Sequence, residues 1–139
     1  MFEVLAEARL IVSCQTRFNP SDLEWDRWMM AASVLARQVG DFKLLVVTDG
    51  GHPTRAQLER LKRQKEQKDH KEPPTAIVSS SVALRFMGAA LTFVNSTIRC
   101  FAPAQLDQAF EHIRLAPADR NLARTSIERL RREMLALSA

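Results

Sequence analysis

Residues Lys43–Gln57, which read KLLVVTDGGHPTRAQ, decide the fold of this chain. Leu44–Val47 form a continuous apolar run, which is typical of a strand buried on both faces in the middle of a parallel sheet. The pair Gly50–Gly51 then allows backbone angles that other residues resist. Thr54 and Gln57 fit a capping box, in which the Thr54 hydroxyl accepts from the Gln57 amide and the Gln57 side chain reaches back to the cap. The stretch therefore predicts a buried strand, a tight loop and the start of a helix.

The same alternation of strand and helix continues on both sides of this unit. Strands are predicted at Phe2–Ala6, Arg9–Arg17, Thr75–Ser79 and Thr97–Phe101. Helices are predicted from about Asp22 to Gln38, Thr54 to Lys68, Val82 to Val94, Ala104 to Ile113 and Ala118 to Leu137. The first two strands form a hairpin. We therefore expect an α/β fold with about five strands, mostly parallel, and an extra C-terminal helix.

The composition of the 139 residues, with 46% hydrophobic and 26% charged, is that of a globular domain and argues against disorder. No apolar run reaches the roughly 18 residues that a membrane-spanning helix needs, so we expect no transmembrane segment. We also expect no signal peptide. Cys14 and Cys100 lie in apolar strand patterns, which predicts two reduced thiols in a cytoplasmic protein.

The net charge of +4 is concentrated on two segments. Residues 55–72 carry seven Lys/Arg against four Asp/Glu, and residues 118–139 carry five against three. Solvated helix faces account for such surpluses, and nucleic-acid binding through these basic helices is the alternative. No aromatic residues interleave with the charges for base stacking, so no nucleic acid is expected as a partner.

The first helix has two apolar faces. Trp25, Trp28, Ala32, Leu35 and Val39 form the face that a sheet would cover, and Leu23, Met30 and Val34 form a second stripe on the opposite side. The last helix carries its own stripe: Ala123, Ile127, Leu130, Met134 and Leu137. These patterns predict a partner surface made of Leu23, Met30, Val34, Ile127, Leu130 and Met134. The hypothesis is that the two stripes bury each other, within one chain or across a homodimer.

The predicted helix Val82–Val94 is apolar nearly all round, with Gly88-Ala89-Ala90 at its centre. A helix of this kind is largely buried in a protein core. The alternative is that it lines a pocket for a lipid or another apolar ligand.

In its order of elements the chain resembles the STAS domain superfamily, and within it the SpoIIAA-like branch, whose bacterial members are often grouped with CRAL-TRIO lipid-binding domains. The hairpin, the helix capped by Ser21, the central strand and the TAIVS strand carry the likeness. Its most telling piece is IRCFAPAQLDQAFEHI, with Phe101, Gln105, Leu106, Ala109 and Phe110 in the family's pattern. The resemblance assigns residues 1–115 to a STAS/SpoIIAA-like domain. It leaves residues 116–139 as a C-terminal helical extension that packs on the domain or on a partner.

The resemblance implies a β-α superhelix and a non-enzymatic regulatory role in protein–protein interaction, like that of anti-sigma-factor antagonists. Binding of a lipid in the CRAL-TRIO-like manner is the alternative. Classical members carry a phosphorylatable serine in an Asp-Ser-Ser-Gly loop before the second helix. Here Asp49 aligns with that motif, but glycines replace the two serines.

The chain lacks the common signatures of catalysis and cofactor binding. It has no Gly-rich dinucleotide fingerprint, no P-loop and no Cys/His cluster with metal-ligand spacing. We therefore expect no enzyme, no catalytic residue, no metal and no cofactor. Thr54 is either a helix cap or a phospho-acceptor, and a helix start also attracts anions, although a tight turn without a ligand is the simpler alternative. The candidate phospho-acceptor or anion-binding loop comprises Asp49, Gly50, Gly51, His52 and Thr54.

Overall fold

A computed structural model describes residues 1–68, 72–85 and 97–138. The strands are β1 (Phe2–Leu5), β2 (Leu10–Gln15), β3 (Lys43–Thr48), β4 (Thr75–Ser79) and β5 (Ile98–Phe101). The helices are α1 (Asp22–Val39), α2 (Arg55–Lys68), α3 (Leu106–His112) and α4 (Pro117–Ser138). Residues 82–85 are helical, and the remainder of the predicted helix Val82–Val94 lies outside the described residues.

The five strands form one sheet in the order β1-β2-β3-β4-β5. β1 pairs antiparallel with β2, and every other pair is parallel, which confirms the predicted α/β class with a mostly parallel sheet and an N-terminal hairpin. A short 3-10 turn, Ala6–Ala8, joins the hairpin and ends at Arg9, whose φ is 53°. Because consecutive parallel strands are neighbours and crossovers are right-handed, α1, which connects β2 to β3, and α2, which connects β3 to β4, fall on the same face of the sheet.

Alternate residues of the strands build a separate core on each face of the sheet. On one face, Leu10, Val12, Leu45, Val47, Ala76 and Val78 pack with Phe110 and Ile113 near α3 and with Ala123, Ile127 and Leu130 of α4. On the other face, Ile11 and Leu44 pack with Leu35 and Trp28 of α1. Burial of each large apolar side chain contributes about 1.5–3 kcal/mol. The sheet is therefore held between α1 on one side and α3 with α4 on the other.

α1 begins and ends where its sequence predicts. The Ser21 hydroxyl accepts from the Glu24 amide at 3.2 Å, and the Glu24 carboxylate accepts from the Ser21 amide at 3.0 Å. Gly40 ends the helix with a φ of +77°, a backbone conformation in the left-handed region that favours glycine. The capping box and the terminal glycine thus set the register of the helix on the sheet.

α4 is joined to β1 by polar contacts as well as by the core. The Ser126 hydroxyl donates to the Glu3 carboxylate at 2.5 Å, and Arg129 forms an ion pair with the same carboxylate. The pKa of Glu3 is lowered, first by the Ser126 hydrogen bond and then by Arg129. Folding therefore favours the charged form of this carboxylate.

The Glu3 contact predicts a pH-dependent effect on stability. A carboxyl whose pKa is depressed by folding stabilises the folded state above its unfolded pKa, and this contribution is lost as the pH falls through the folded pKa. For a solvent-accessible pair, we expect Glu3→Gln to lower the free energy of unfolding at pH 7 by about 0.2–1 kcal/mol. The difference should vanish well below the ordinary value of 4.5. Urea denaturation at both pH values tests this, with the exposed Glu7→Gln as control, and a difference that persists in acid would contradict it.

Candidate functional site

The loop between β3 and α2 is closed by the Thr48 side chain. The Thr48 hydroxyl donates to the Gly51 carbonyl at 2.6 Å and accepts from the Gly50 amide at 3.1 Å. Local side-chain hydrogen bonds of this kind compete with continued strand pairing and turn the chain. The predicted tight loop is therefore held by a residue of the strand that precedes it.

Gly51 lies directly against the preceding β2–α1 loop. Its amide donates to the Thr16 carbonyl at 2.8 Å. A Cβ at this position would lie 2.0 Å from the Phe18 carbonyl oxygen and 2.7 Å from that of Thr16. Close backbone approach therefore requires glycine here.

The amides of the predicted anion-binding loop are already engaged within the protein. The Asp49 amide donates to the Gln15 carbonyl at 3.2 Å, and the His52 amide donates to the Asn19 side chain at 3.1 Å. The Thr54 amide donates to Gln57 Oε1 at 3.0 Å, and Pro53 has no amide proton. Together with the amides of the two glycines, every backbone amide from position 49 to position 54 has an acceptor within the protein. An anion bound by these amides would have to displace one of these bonds.

Thr54 forms the helix cap that the sequence predicts. Its hydroxyl accepts from the Gln57 amide at 3.2 Å. Gln57 also donates through Nε2 to the Pro20 carbonyl and to Asp22 Oδ1, both at 3.0 Å, and is only 1% exposed. Gln57 thus joins the start of α2 to the start of α1. The phospho-acceptor role of Thr54 stays a prediction.

Two further residues of the loop, Asp49 and His52, are exposed to solvent. Asp49 forms an ion pair with Arg131 of α4 at 3.7 Å. The exposed His52 ring lies 3.0 Å from the carbonyl oxygen of its neighbour Pro53.

Burial raises the pKa of the Cys14 thiol to about 11, which disfavours the reactive thiolate. Cys14 and Cys100 are both free, as predicted.

The second stripe of α1 is exposed. Leu23 is 60% exposed, Met30 70% and Val34 38%, whereas Trp25 and Leu35 on the opposite side are 5% and 1% exposed. α1 is also held rigidly, because the Trp25 indole donates to the Gln57 carbonyl at 3.0 Å and its ring stacks on that of Trp28 at 5.0 Å. The stripe is therefore presented to solvent from a fixed helix.

The structure does not bring the two predicted stripes together. Ile127 is 8% exposed and Leu130 1%, and both lie in the core beneath α4, with Met134 packed at its edge. This core is on the face of the sheet opposite to α1. The pairing of the two stripes within one chain is therefore not formed, because the sheet itself already covers the stripe of α4. Of the predicted partner surface, the α1 residues are the ones that face solvent.

In the described part of the chain, no group of His, Cys, Asp and Glu is arranged to hold a metal ion, and no helix is long and apolar enough to cross a membrane. Two open depressions of about 310 and 320 Å³ lie beside Phe42 and beside Leu122, respectively.

No protein-family model, curated protein or solved structure matches the chain.

Sequence reasoning missed two features of the site. It assigned Gln57 a local capping role, whereas the side chain also bridges α2 to α1 through Asp22, which lies 35 residues away in the sequence. It described the second stripe of α1 by its apolar residues and omitted the exposed arginines beside them, Arg27 and Arg37. The helical spacing of these arginines relative to Met30 could have revealed the second feature.

Proposed function

We propose that this chain is a non-enzymatic, regulatory protein–protein interaction module that binds its partner through the exposed side of α1 and acts in the cytoplasm. The observation that carries the proposal is the stripe of Leu23, Met30 and Val34, which remains exposed although α1 buries an apolar face on the sheet. Exposed apolar residues that line up on one surface often mark a site of contact with another protein. The proposed role agrees with the one implied by the resemblance to STAS domains.

The way α1 is held supports this role. A docking surface costs less free energy to bind when it is ordered before the partner arrives. The first turn of α1 is fixed by the Ser21 cap, by Trp25 and by the hydrogen bond from Gln57 to Asp22. Asp26 in addition forms an ion pair with Arg60 of α2. The stripe therefore needs little ordering on association.

The other functions that the sequence left open have less support. Lipid or apolar-ligand binding rests on the predicted helix Val82–Val94, of which residues 86–94 lie outside the described residues. Nucleic-acid binding rests on the charge of α2 and α4, where Arg60, Arg124 and Arg129 are already paired with carboxylates of the chain. Native mass spectrometry of the purified protein would detect a bound lipid.

The proposal is tested by cross-linking the full chain in cells of its native host and identifying what is captured. Met30→Glu places a charge in the middle of the stripe and should abolish capture of the physiological partner. Leu135→Glu is the matched control, because Leu135 is 71% exposed and Met30 70%, but Leu135 lies on α4 across the sheet. Capture that is unchanged by Met30→Glu would overturn the proposal.

A further inference from the structure

The exposed side of α1 carries a regular series of five residues: Leu23, Arg27, Met30, Val34 and Arg37. We call this series the α1 ridge. Its members are spaced by four, three, four and three residues, an average of 3.5, which is the spacing of a helix seam that packs against another helix. All five residues are exposed. The ridge therefore has the periodicity of a helix-packing surface with nothing packed on it in the described structure.

The shape of the ridge is narrow. At about 100° per residue, its three apolar side chains fall within an arc of about 40°, with one arginine on either side. The buried residues Trp25 and Leu35, and the partly buried Trp28, lie on the far side of the helix. The ridge thus points away from the sheet, where a partner can reach its whole length.

The two arginines of the ridge have no acidic partner among the described residues, although α1 itself contains three carboxylates. Asp22 accepts from Gln57, Glu24 accepts from the Ser21 amide, and Asp26 is paired with Arg60. The acidic residues of α1 are thus committed to the cap and to α2. Among the described residues, Arg27 and Arg37 therefore remain as uncompensated charges beside exposed apolar side chains.

We propose that the α1 ridge binds an amphipathic helix of a partner protein that carries carboxylates opposite Arg27 and Arg37. This inference rests on the proposed function and adds the chemistry of the partner. The two arginines are ten residues apart, or about 15 Å along the helix axis. The partner helix therefore carries two acidic side chains about three turns apart, with apolar side chains between them that contact Leu23, Met30 and Val34. Complementary charges of this kind determine which partner and which register are accepted.

A second copy of the chain fits the ridge poorly. Pairing α1 with its own copy would bring four arginines into one helix interface, while the carboxylates of both helices stay engaged elsewhere. Like charges at a helix seam destabilise that pairing. Charge complementarity therefore favours an acidic partner over a homodimer.

A membrane surface also fits the α1 ridge poorly. Helices that lie in a lipid interface have a broad apolar face, commonly about 100° wide or more, and a polar face on the other side. The ridge is narrower, and the opposite face of α1 is committed to the sheet. A protein helix, which needs only a narrow seam, fits the observed width.

The test uses two synthetic helical peptides of about three heptads with leucine at the seam positions. One carries glutamate at two seam positions ten residues apart, and the other carries lysine there. Binding of each labelled peptide to the full chain is measured by fluorescence anisotropy at low salt. We expect the glutamate peptide to bind about tenfold more tightly, and the double variant Arg27→Glu/Arg37→Glu to reverse this preference. Met30→Glu should weaken both peptides, and Arg132→Glu on α4 should affect neither.

Equal binding of the two peptides, no binding of either, or an unchanged preference in the double variant would overturn the inference. Circular dichroism of each variant verifies that it is folded, which we expect because the substituted side chains are exposed. The proposed function is judged separately by cross-linking. If Met30→Glu abolishes capture but the glutamate peptide, added to a cell extract before cross-linking, does not reduce capture of the same protein, the interaction role stands and the acidic-helix inference fails.

Discussion

Gly51→Ala is expected to destabilise the protein by about 3 kcal/mol or more, a large effect for a single methyl group. The added Cβ would lie 2.0 Å from the Phe18 carbonyl oxygen, far inside the contact distance of these atoms. A flexible side chain could rotate away from such a contact, but a backbone carbonyl cannot. The β2–α1 loop would have to move as a unit.

That movement would disturb more than the loop itself. Gly51 donates to Thr16, and its neighbour His52 donates to the Asn19 side chain, so two hydrogen bonds tie the loops together. Ser21, the cap of α1, follows two residues after Asn19. We therefore expect the variant to lose part of the packing between α1 and α2 as well.

Gly50→Ala is the appropriate comparison. Gly50 has a φ of +134°, which disfavours other residues, but its nearest neighbours would lie 3.9 and 4.0 Å from an added Cβ. Gly50→Ala should therefore lower the free energy of unfolding through backbone strain alone, by about 1–3 kcal/mol. Urea denaturation of both variants measures the difference. A smaller loss for Gly51→Ala than for Gly50→Ala would show that the two loops are not in close contact.

The sequence correctly predicted the features that depend on residues close together along the chain. The capping boxes at Ser21 and Thr54 involve residues three positions apart, and the structure contains both. β4 occupies Thr75–Ser79 as predicted, because its apolar run is bounded by Pro74 and by a row of serines. Local hydrogen-bonding and periodicity are sufficient to predict such features.

The sequence did not predict which helix and sheet surfaces pack against each other. The periodicity of α4 predicts that one side of the helix is buried, but it does not say against what. The hypothesis placed that side on α1, whereas Ile127 and Leu130 pack beneath the sheet. Both contacts would bury the same apolar side chains, so the choice depends on the course of the connection from α3. The contact from Gln57 to Asp22 was missed for the same reason, since it joins distant segments.

The position of α4 leads to the second large expected effect, that of Leu130→Ala. Leu130 is 1% exposed in the core shared by α4, the sheet and α3. Truncation there removes apolar burial and leaves a cavity, so we expect a loss of about 2–5 kcal/mol in the free energy of unfolding. Leu135→Ala removes the same atoms from the same helix at a position that is 71% exposed, and should cost less than about 0.5 kcal/mol.

The comparison of the two leucines decides whether α4 is part of the folded domain. Both variants change helix propensity equally, so the difference between their denaturation midpoints reports the packing of Leu130 on the sheet. A difference of several kcal/mol between the free energies of unfolding of the two variants places α4 in the cooperative core, where its stripe is not available to a partner. Near-equal effects would show that α4 detaches readily. The stripe of Ile127, Leu130 and Met134 could then reach a partner, and α1 would no longer be the favoured docking surface.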